Sequence, residues 1–354
     1  MRGQPEPERG PADDLLASAY GPVAAELETV TGRVASLAAA GSPLLREATA
    51  SLVTHPGKRV RPALLLLSSL AGATSESGPA PERARLVRRS REKVLAAATA
   101  FELLHLASLT HDDILDASPL RRGQPTTWAR WGTAVALLAG DHLYGKALAQ
   151  ASLAGRRTCR AFCGLVELLV EGQARELEVS GAERPPGRRA YMSLATAKTA
   201  AFFAESCALG ATLGGAGSGT TRALRRFGRL IGQAYQLADD LLDWQGRPDR
   251  TGKPHLGDVR NGRYAFPVVA GLARRPTRVA RALARVSATR PGSGVPARLE
   301  DLRLELEAAG AFEETARQVR ERTRLALACL ELLPPGVPRD NLDLLALVLA
   351  GRTA

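Results

Sequence analysis

Along most of the chain, apolar residues return at intervals of three and four, as in "FELLHLASLT" and "LIGQAYQLA". That spacing lines one face of a helix. No stretch alternates at period two with β-branched enrichment, and Ala and Leu, both strong helix formers, dominate. Gly/Pro/Ser-rich breaks fall near 74–82, 180–188, 214–220, 244–262, 289–296 and 334–340. The pattern predicts an all-α fold: one domain over residues 13–354, roughly ten or more helices, behind a disordered polar tail at 1–12. No internal repeat suggests a solenoid. One connection, 246–263, is long for a compact helical domain, and such loops are usually functional or disordered. It carries Lys253, Asp258, Arg260 and Arg263, which favours function.

Composition narrows the class. The chain has 354 residues, 45% hydrophobic and 24% charged, enough for a sizeable core. Its longest apolar run, "PALLLLSSLAGA", falls short of the ~20 residues a bilayer span needs. The start, "MRGQPEPERGPADD", has no apolar signal region. A cytoplasmic protein without stable membrane insertion is therefore expected. Cys159, Cys163, Cys207 and Cys329 make no CxxC or Cys/His set, so reduced, packed thiols are expected rather than a zinc site. The net charge of +12 raises nucleic acid as a partner. The arginines are spread along the chain without interleaved aromatics, which argues against it. Only Lys58, Lys93, Lys146, Lys198 and Lys253 are lysines, either places where a compact ammonium is preferred to a guanidinium fork or chance survivors of a bias towards arginine.

The chemistry lies in two acidic clusters. "HDDILD" carries Asp112, Asp113 and Asp116, and "LADDLLD" carries Asp239, Asp240 and Asp243. Residues four apart share a helix face, so Asp112 pairs with Asp116 and Asp239 with Asp243. Each cluster follows an apolar helix, where unpaired like charges repel and are poorly solvated. One DDxxD can be a solvated helix end; two copies in such settings point to a hard divalent cation such as Mg²⁺, bridging carboxylates to phosphates. Arg121 and Arg122 follow the first cluster, Lys58, Arg59 and Arg61 precede an apolar helix, and Lys198 and Thr199 sit in a mid-helix apolar setting. Carboxylates, Mg²⁺ and converging cations describe one or two diphosphate sites. With no GxxxxGKS and no GxGxxG, a nucleotide is not favoured.

From "GKRVRP" through "FELLHLASLTHDDILD", "RRGQPT", "LAGDHL", "EGQARELE", "KTAAFFAESCALGATLGG" and "GQAYQLADDLLD" to "GKPHLGDVRNGRYAFP", the chain resembles the trans-isoprenyl (all-E polyprenyl) diphosphate synthases. The motifs keep the family's order over residues 57–267; beyond about 270 only helicity matches. The resemblance implies an isoprenoid synthase fold, helices around a central cavity, and a homodimer. It implies Mg²⁺-dependent condensation of isopentenyl diphosphate onto an allylic diphosphate, by ionisation, attack of the double bond, and proton loss to the departed diphosphate. Three Mg²⁺ ions would be held by Asp112, Asp116 and Asp239, with Asp243 in support. The allylic diphosphate would meet Arg121, Lys198, Lys253 and Gln236, and isopentenyl diphosphate would meet Lys58, Arg61, His105 and Arg122. Thr199 and Gln236 would steady the cation. His111 and Asp141 are supporting candidates, and Arg263 stands where the family commonly has lysine.

Chain length is the finer expectation. The residues before Asp112, namely Ser108, Ala107 and a further turn back Leu104, should wall the tunnel of the growing product. Ser and Ala are small where short-chain members place aromatic rings. Since a helical turn rises about 5.4 Å, roughly one isoprene unit, an open wall and the uninserted DDxxD imply a product longer than C20. The alternatives are a C20 geranylgeranyl product or a terpene cyclase on the same fold; a cyclase has no need for the second cationic pocket.

Overall fold

A computed structural model describes residues 11–54, 57–75, 80–121, 123–180, 185–245, 259, 264–287 and 295–351. In chain order the elements are α1 (Pro11–Tyr20), α2 (Ala24–Ala38), α3 (Pro43–Thr54), α4 (Val60–Ser75) and α5 (Ala80–Leu115). A two-residue ribbon pairs Leu120–Arg121 with Gln124–Pro125, turning at Gly123 with φ +74°. Then come α6 (Thr127–Leu153), α7 (Arg156–Ser180), α8 (Arg188–Ala195), one π-helical turn (Thr196–Ala200) and α9 (Ala201–Leu213). The chain closes with α10 (Ser218–Gln245), α11 (Phe266–Arg274), α12 (Pro276–Ser287), α13 (Val295–Ala308), α14 (Ala311–Leu330) and α15 (Val337–Ala350). The first helix opens at Pro11, so Pro11 and Ala12 belong to it rather than to a tail. Lys253, Asp258, Arg260, Arg263 and Arg122 lie outside the described residues.

Helix α9 occupies the centre. Phe202, Phe203, Ala204 and Ser206 through Ala211 are all buried, so it is covered all round, as a helix in the middle of a core must be. It packs between α4 and α10, and glycines set how closely. A Cβ on Gly210 would stand 2.1 Å from the Leu65 carbonyl oxygen, and one on Gly214 equally close to that of Ser69. Across the other face, a Cβ on Gly228 would meet the Phe203 oxygen at 2.4 Å and one on Gly232 the Ala200 Cα at 2.7 Å. Backbone thus lies directly on backbone.

Helix α5 corrects the apolar-run reading. Its stretch Ser90–Leu115 is long and apolar enough to cross a bilayer, but it is mostly buried inside the protein against α4, α6 and α9. Among the cysteines, Cys207 and Cys329 are buried free thiols as expected, whereas Cys163 is exposed.

The C-terminal helices are tied in through Glu314 on α14. Its buried carboxylate accepts from Arg188 of α8 (2.6 Å), Arg274 of α11 (3.3 Å), Arg317 (2.8 Å) and Gln318 (3.1 Å). Arg317 and then Arg188 hold its pKa down to about 2, against the opposing effect of burial. A depressed carboxylate adds stability above its ordinary pKa of 4.5, and loses it as pH falls towards about 2. Discounting for half-exposed arginines, Glu314→Gln is expected to cost about 1–2 kcal/mol at pH 7. Thermal unfolding across pH checks this: the variant and the wild type should converge near pH 2, and a gap independent of pH would count against it.

Candidate active site

The π-turn faces both acidic clusters, Lys198 lying towards one and Thr199 towards the other. The amide of Ala201 bonds to the carbonyl of Thr196, five residues back, so the turn holds one residue more than an α-helical one. Such turns are rare and concentrate at functional sites. Thr196 Oγ1 donates to the Met192 carbonyl (2.7 Å) and accepts from Gln233 Nε2 of α10 (2.9 Å). Gly172 of α7 lets Ala197 approach to where its Cβ would be (2.8 Å).

Lys198 turns towards the first cluster. Its ammonium pairs with Glu176 of α7, whose carboxylate also accepts from Gln173 (3.2 Å). Asp112, at the end of α5, lies in the same electrostatic neighbourhood. Burial pushes its carboxyl up to about 6; Lys198 and Arg121 pull it back, while Asp116 and Glu176 push with burial. Asp113 points elsewhere, buried and gripped by Arg121 through Nε (2.9 Å) and Nη2 (2.8 Å). Burial outweighs that guanidinium, and its pKa too is raised.

Thr199 turns the other way. Its hydroxyl donates to Gln236 Oε1 of α10 at 2.8 Å, and Gln236 Nε2 donates to Asp240 Oδ1 at 3.0 Å. The other Asp240 oxygen accepts from the Phe266 amide (2.7 Å) and from the Tyr191 hydroxyl of α8. Burial lifts Asp240 to about 7 against the opposing pull of Tyr191, Phe266 and Gln236. Asp239 and Asp243, half-buried, flank it on α10.

A third grouping lies one turn further along α9. Phe202 takes the Arg61 guanidinium over its ring at 4.8 Å and meets the His105 ring edge-on at 6.3 Å. Lys58 stands just before α4 with an exposed side chain, its carbonyl accepting from Tyr20 Oη at 2.6 Å.

Of the expected site residues, then, Asp112, Asp116, Arg121 and Lys198 share one neighbourhood, Thr199, Gln236 and the second cluster another, and Arg61 and His105 share Phe202. Leu104 and Ala107 are wholly enclosed, and Ser108 bonds back to the His105 carbonyl at 2.9 Å. His111 stacks on Tyr144 (6.1 Å) and sits 3.6 Å from Asp141, so both join α5 to α6. Four residues had no assigned role in the sequence: Asp113, Glu176, Tyr191 and Asp240. A signal existed for the aspartates, since the second residue of each DDxxD lies about 100° round the helix from the first, away from the shared face.

These features define a class, the all-α prenyltransferases. Comparison carries this to a family. The family model described as polyprenyl synthetase matches residues 42–293. The chain is 30% identical over 331 residues to a prenyl transferase of Cyanophora paradoxa, covering 93% of this chain and 96% of that one. It is 33% identical over 229 residues to heptaprenyl diphosphate synthase component 2 of Geobacillus stearothermophilus, covering 64% and 67%. A polyprenyl synthase of Caulobacter crescentus, complexed with calcium and isoprenyl diphosphate, shares the fold with a TM-score of 0.84 at 26% identity over 98% of this chain and 100% of that one. The chain belongs to the polyprenyl synthetase family; it is a prenyltransferase of isoprenoid biosynthesis.

Proposed function

We propose that the protein condenses isopentenyl diphosphate with an allylic diphosphate into an all-E polyprenyl diphosphate longer than C20, using Mg²⁺. The observation that carries this reading is the π-turn, whose adjacent residues Lys198 and Thr199 reach different clusters, Lys198 lying in the field of Asp112 and Thr199 bonding Gln236, which bonds Asp240.

The donor set suits a hard divalent ion. Burial holds Asp112 near pKa 6, and the two cations beside it, Lys198 and Arg121, are each shared with another carboxylate. Among the described residues no three His, Cys, Asp or Glu side chains close around one point. Asp112, Asp116 and Asp239, with Asp243, are assigned to hold three Mg²⁺ ions, which when bound supply Lewis-acid stabilisation of charge on a leaving diphosphate. Lys198, Arg121 and Lys253 orient the allylic diphosphate by charge-assisted hydrogen bonds, and Gln236 with Thr199 faces its first carbon. Arg61 and His105, fixed against Phe202, bind isopentenyl diphosphate with Lys58 and Arg122.

The test is incubation with labelled isopentenyl diphosphate and Mg²⁺, with and without an allylic primer. Extractable labelled product is expected only with both metal and primer. No incorporation sinks the reading, and a hydrocarbon formed from the allylic substrate alone would favour a cyclase. A second copy of the chain is assigned to the leucines left exposed along α6 (Leu137, Leu138, Leu148 and Leu153); sedimentation at micromolar concentration should give a dimer, and a monomer would refute this.

Product length rests on the small side chains of Ala107 and Ser108 before Asp112. Ala107→Tyr is expected to shift the product to fifteen or twenty carbons, read by chromatography of the hydrolysed alcohols. An unchanged distribution would mean that the floor lies elsewhere, and a wild-type C20 product would favour a geranylgeranyl synthase.

A further inference from the structure

The hydrogen bonds around Asp240 run in one direction. Its carboxylate collects three donors: the Phe266 amide, the Tyr191 hydroxyl and Gln236 Nε2. A primary amide has one donating end and one accepting end. With the donating end of Gln236 committed to a carboxylate, Oε1 must face Thr199, and it accepts that hydroxyl's proton at 2.8 Å. Thr199 has only one proton to give, so towards the rest of its surroundings it can present only oxygen lone pairs. Reversing the amide would turn the Thr199 proton outwards, the wrong dipole for a neighbouring cation.

The helix geometry is built for this contact. In a regular helix, the eight steps from Tyr191 to Thr199 amount to about 800°, leaving the two side chains about 80° out of line. The π-turn between them absorbs one residue, reducing the sum to about 700° and the misalignment to about 20°. Tyr191 and Thr199 therefore both face α10, one reaching Asp240 and the other Gln236, which are four residues apart on that helix.

We infer that Tyr191 and Asp240 are positioning residues that lock the Gln236 amide in one orientation, so that Thr199 offers lone pairs to the cationic carbon of the allylic substrate. This rests on the proposed prenyl transfer. Aligned dipoles that need no reorganisation are the most effective form of charge stabilisation, and this relay aligns one.

The test compares two ligands by calorimetry: an allylic diphosphate analogue with an ammonium nitrogen at the cationic carbon, and its neutral carbon isostere. The wild type is expected to bind the cationic analogue at least about tenfold more tightly. Tyr191→Phe and Asp240→Asn should erase most of that preference while leaving affinity for the neutral isostere within about twofold, and Thr199→Ser should keep it. In turnover, kcat should fall with KM for both substrates nearly unchanged, and Tyr191→Phe should add little to Thr199→Val because the two act as a unit. A preference retained in Tyr191→Phe and Asp240→Asn, or losses that add fully, would overturn the inference with prenyl transfer intact. A wild type that binds neither analogue and incorporates no label would remove the proposed function, and the inference with it.

Discussion

Asp112→Asn is expected to lower kcat by roughly a thousandfold or more while making the metal-free protein more stable. The loss follows from removing a ligand oxygen and a charge that act where negative charge leaves the substrate, where one preorganised contact is typically worth 10²–10³ in rate. The gain follows from the same burial that makes the site work. Asp112 is held near pKa 6, above its ordinary 3.8. A carboxyl raised on folding binds more protons in the native state, so it withdraws stability as pH rises from 3.8 to about 6 and withholds it fully above. An amide carries no such penalty. Allowing for partial solvation, the metal-free variant should be more stable by on the order of 1–2 kcal/mol at pH 8 and by little at pH 4. Chemical denaturation in chelator at the two pH values, beside steady-state turnover with Mg²⁺, checks both halves. Near-wild-type turnover would sink the ligand assignment; equal stability at pH 8 would sink the account of its burial.

Gly210→Ala is expected to cost about 3 kcal/mol, and turnover with it. The new methyl would lie 2.1 Å from the Leu65 carbonyl oxygen, which is backbone and cannot swing aside, so α4 and α9 would have to part. Overpacking of that kind costs about 1–3 kcal/mol, and separation also weakens close Cα–H···O contacts along the crossing. Because α9 continues directly from the π-turn, a shift of about 1 Å reaches Lys198 and Thr199, and misplacement on that scale can cost about 10² in rate. Gly219→Ala, at the start of α10 with nothing within 4 Å, is the control and should be neutral or slightly stabilising. Denaturant midpoints for the pair decide it. An unchanged midpoint in Gly210→Ala would mean that the crossing is looser than a 2.1 Å approach requires.

Much of this was legible in the residues. The breaks at 180–188 and 214–220 coincide with the ends of α7, α8, α9 and α10, because Gly, Pro and Ser act locally. Asp112, Asp116 and Lys198 were legible as candidates because charge in apolar helices needs a reason, whereas Thr199 drew notice only as the neighbour of Lys198 and through the resemblance. What escaped was whatever depends on partners distant in sequence. Glu176 finds Lys198 across 22 residues, and Glu314 finds Arg188 across 126, with nothing in either local pattern to announce it. The inward turn of Asp113 and Asp240 was readable from the helical period but was overshadowed by the motif to which they belong. The π-turn had no signature at all, since five residues are too few for a period of 4.4 to be told from 3.6.

That turn also bears on what a deletion would do. It holds one residue that an uninterrupted helix would not, so losing a single codon between Tyr191 and Lys198 would restore regular α-helical bonding through Thr196–Ala200. By the same count, seven regular steps from Tyr191 to Thr199 make about 700°, so both flanks would keep their rotation and Tyr191 would still face Asp240. The glycine-bound core would be untouched, and both DDxxD clusters would still be present. A gene with that deletion would encode a folded chain in which Thr199 still faces α10, so the extra residue is one that the wide turn absorbs without disturbing either flank. Counting residues across Tyr191–Lys198 should therefore separate copies with the wide turn from copies with a regular helix, although both carry the same motifs.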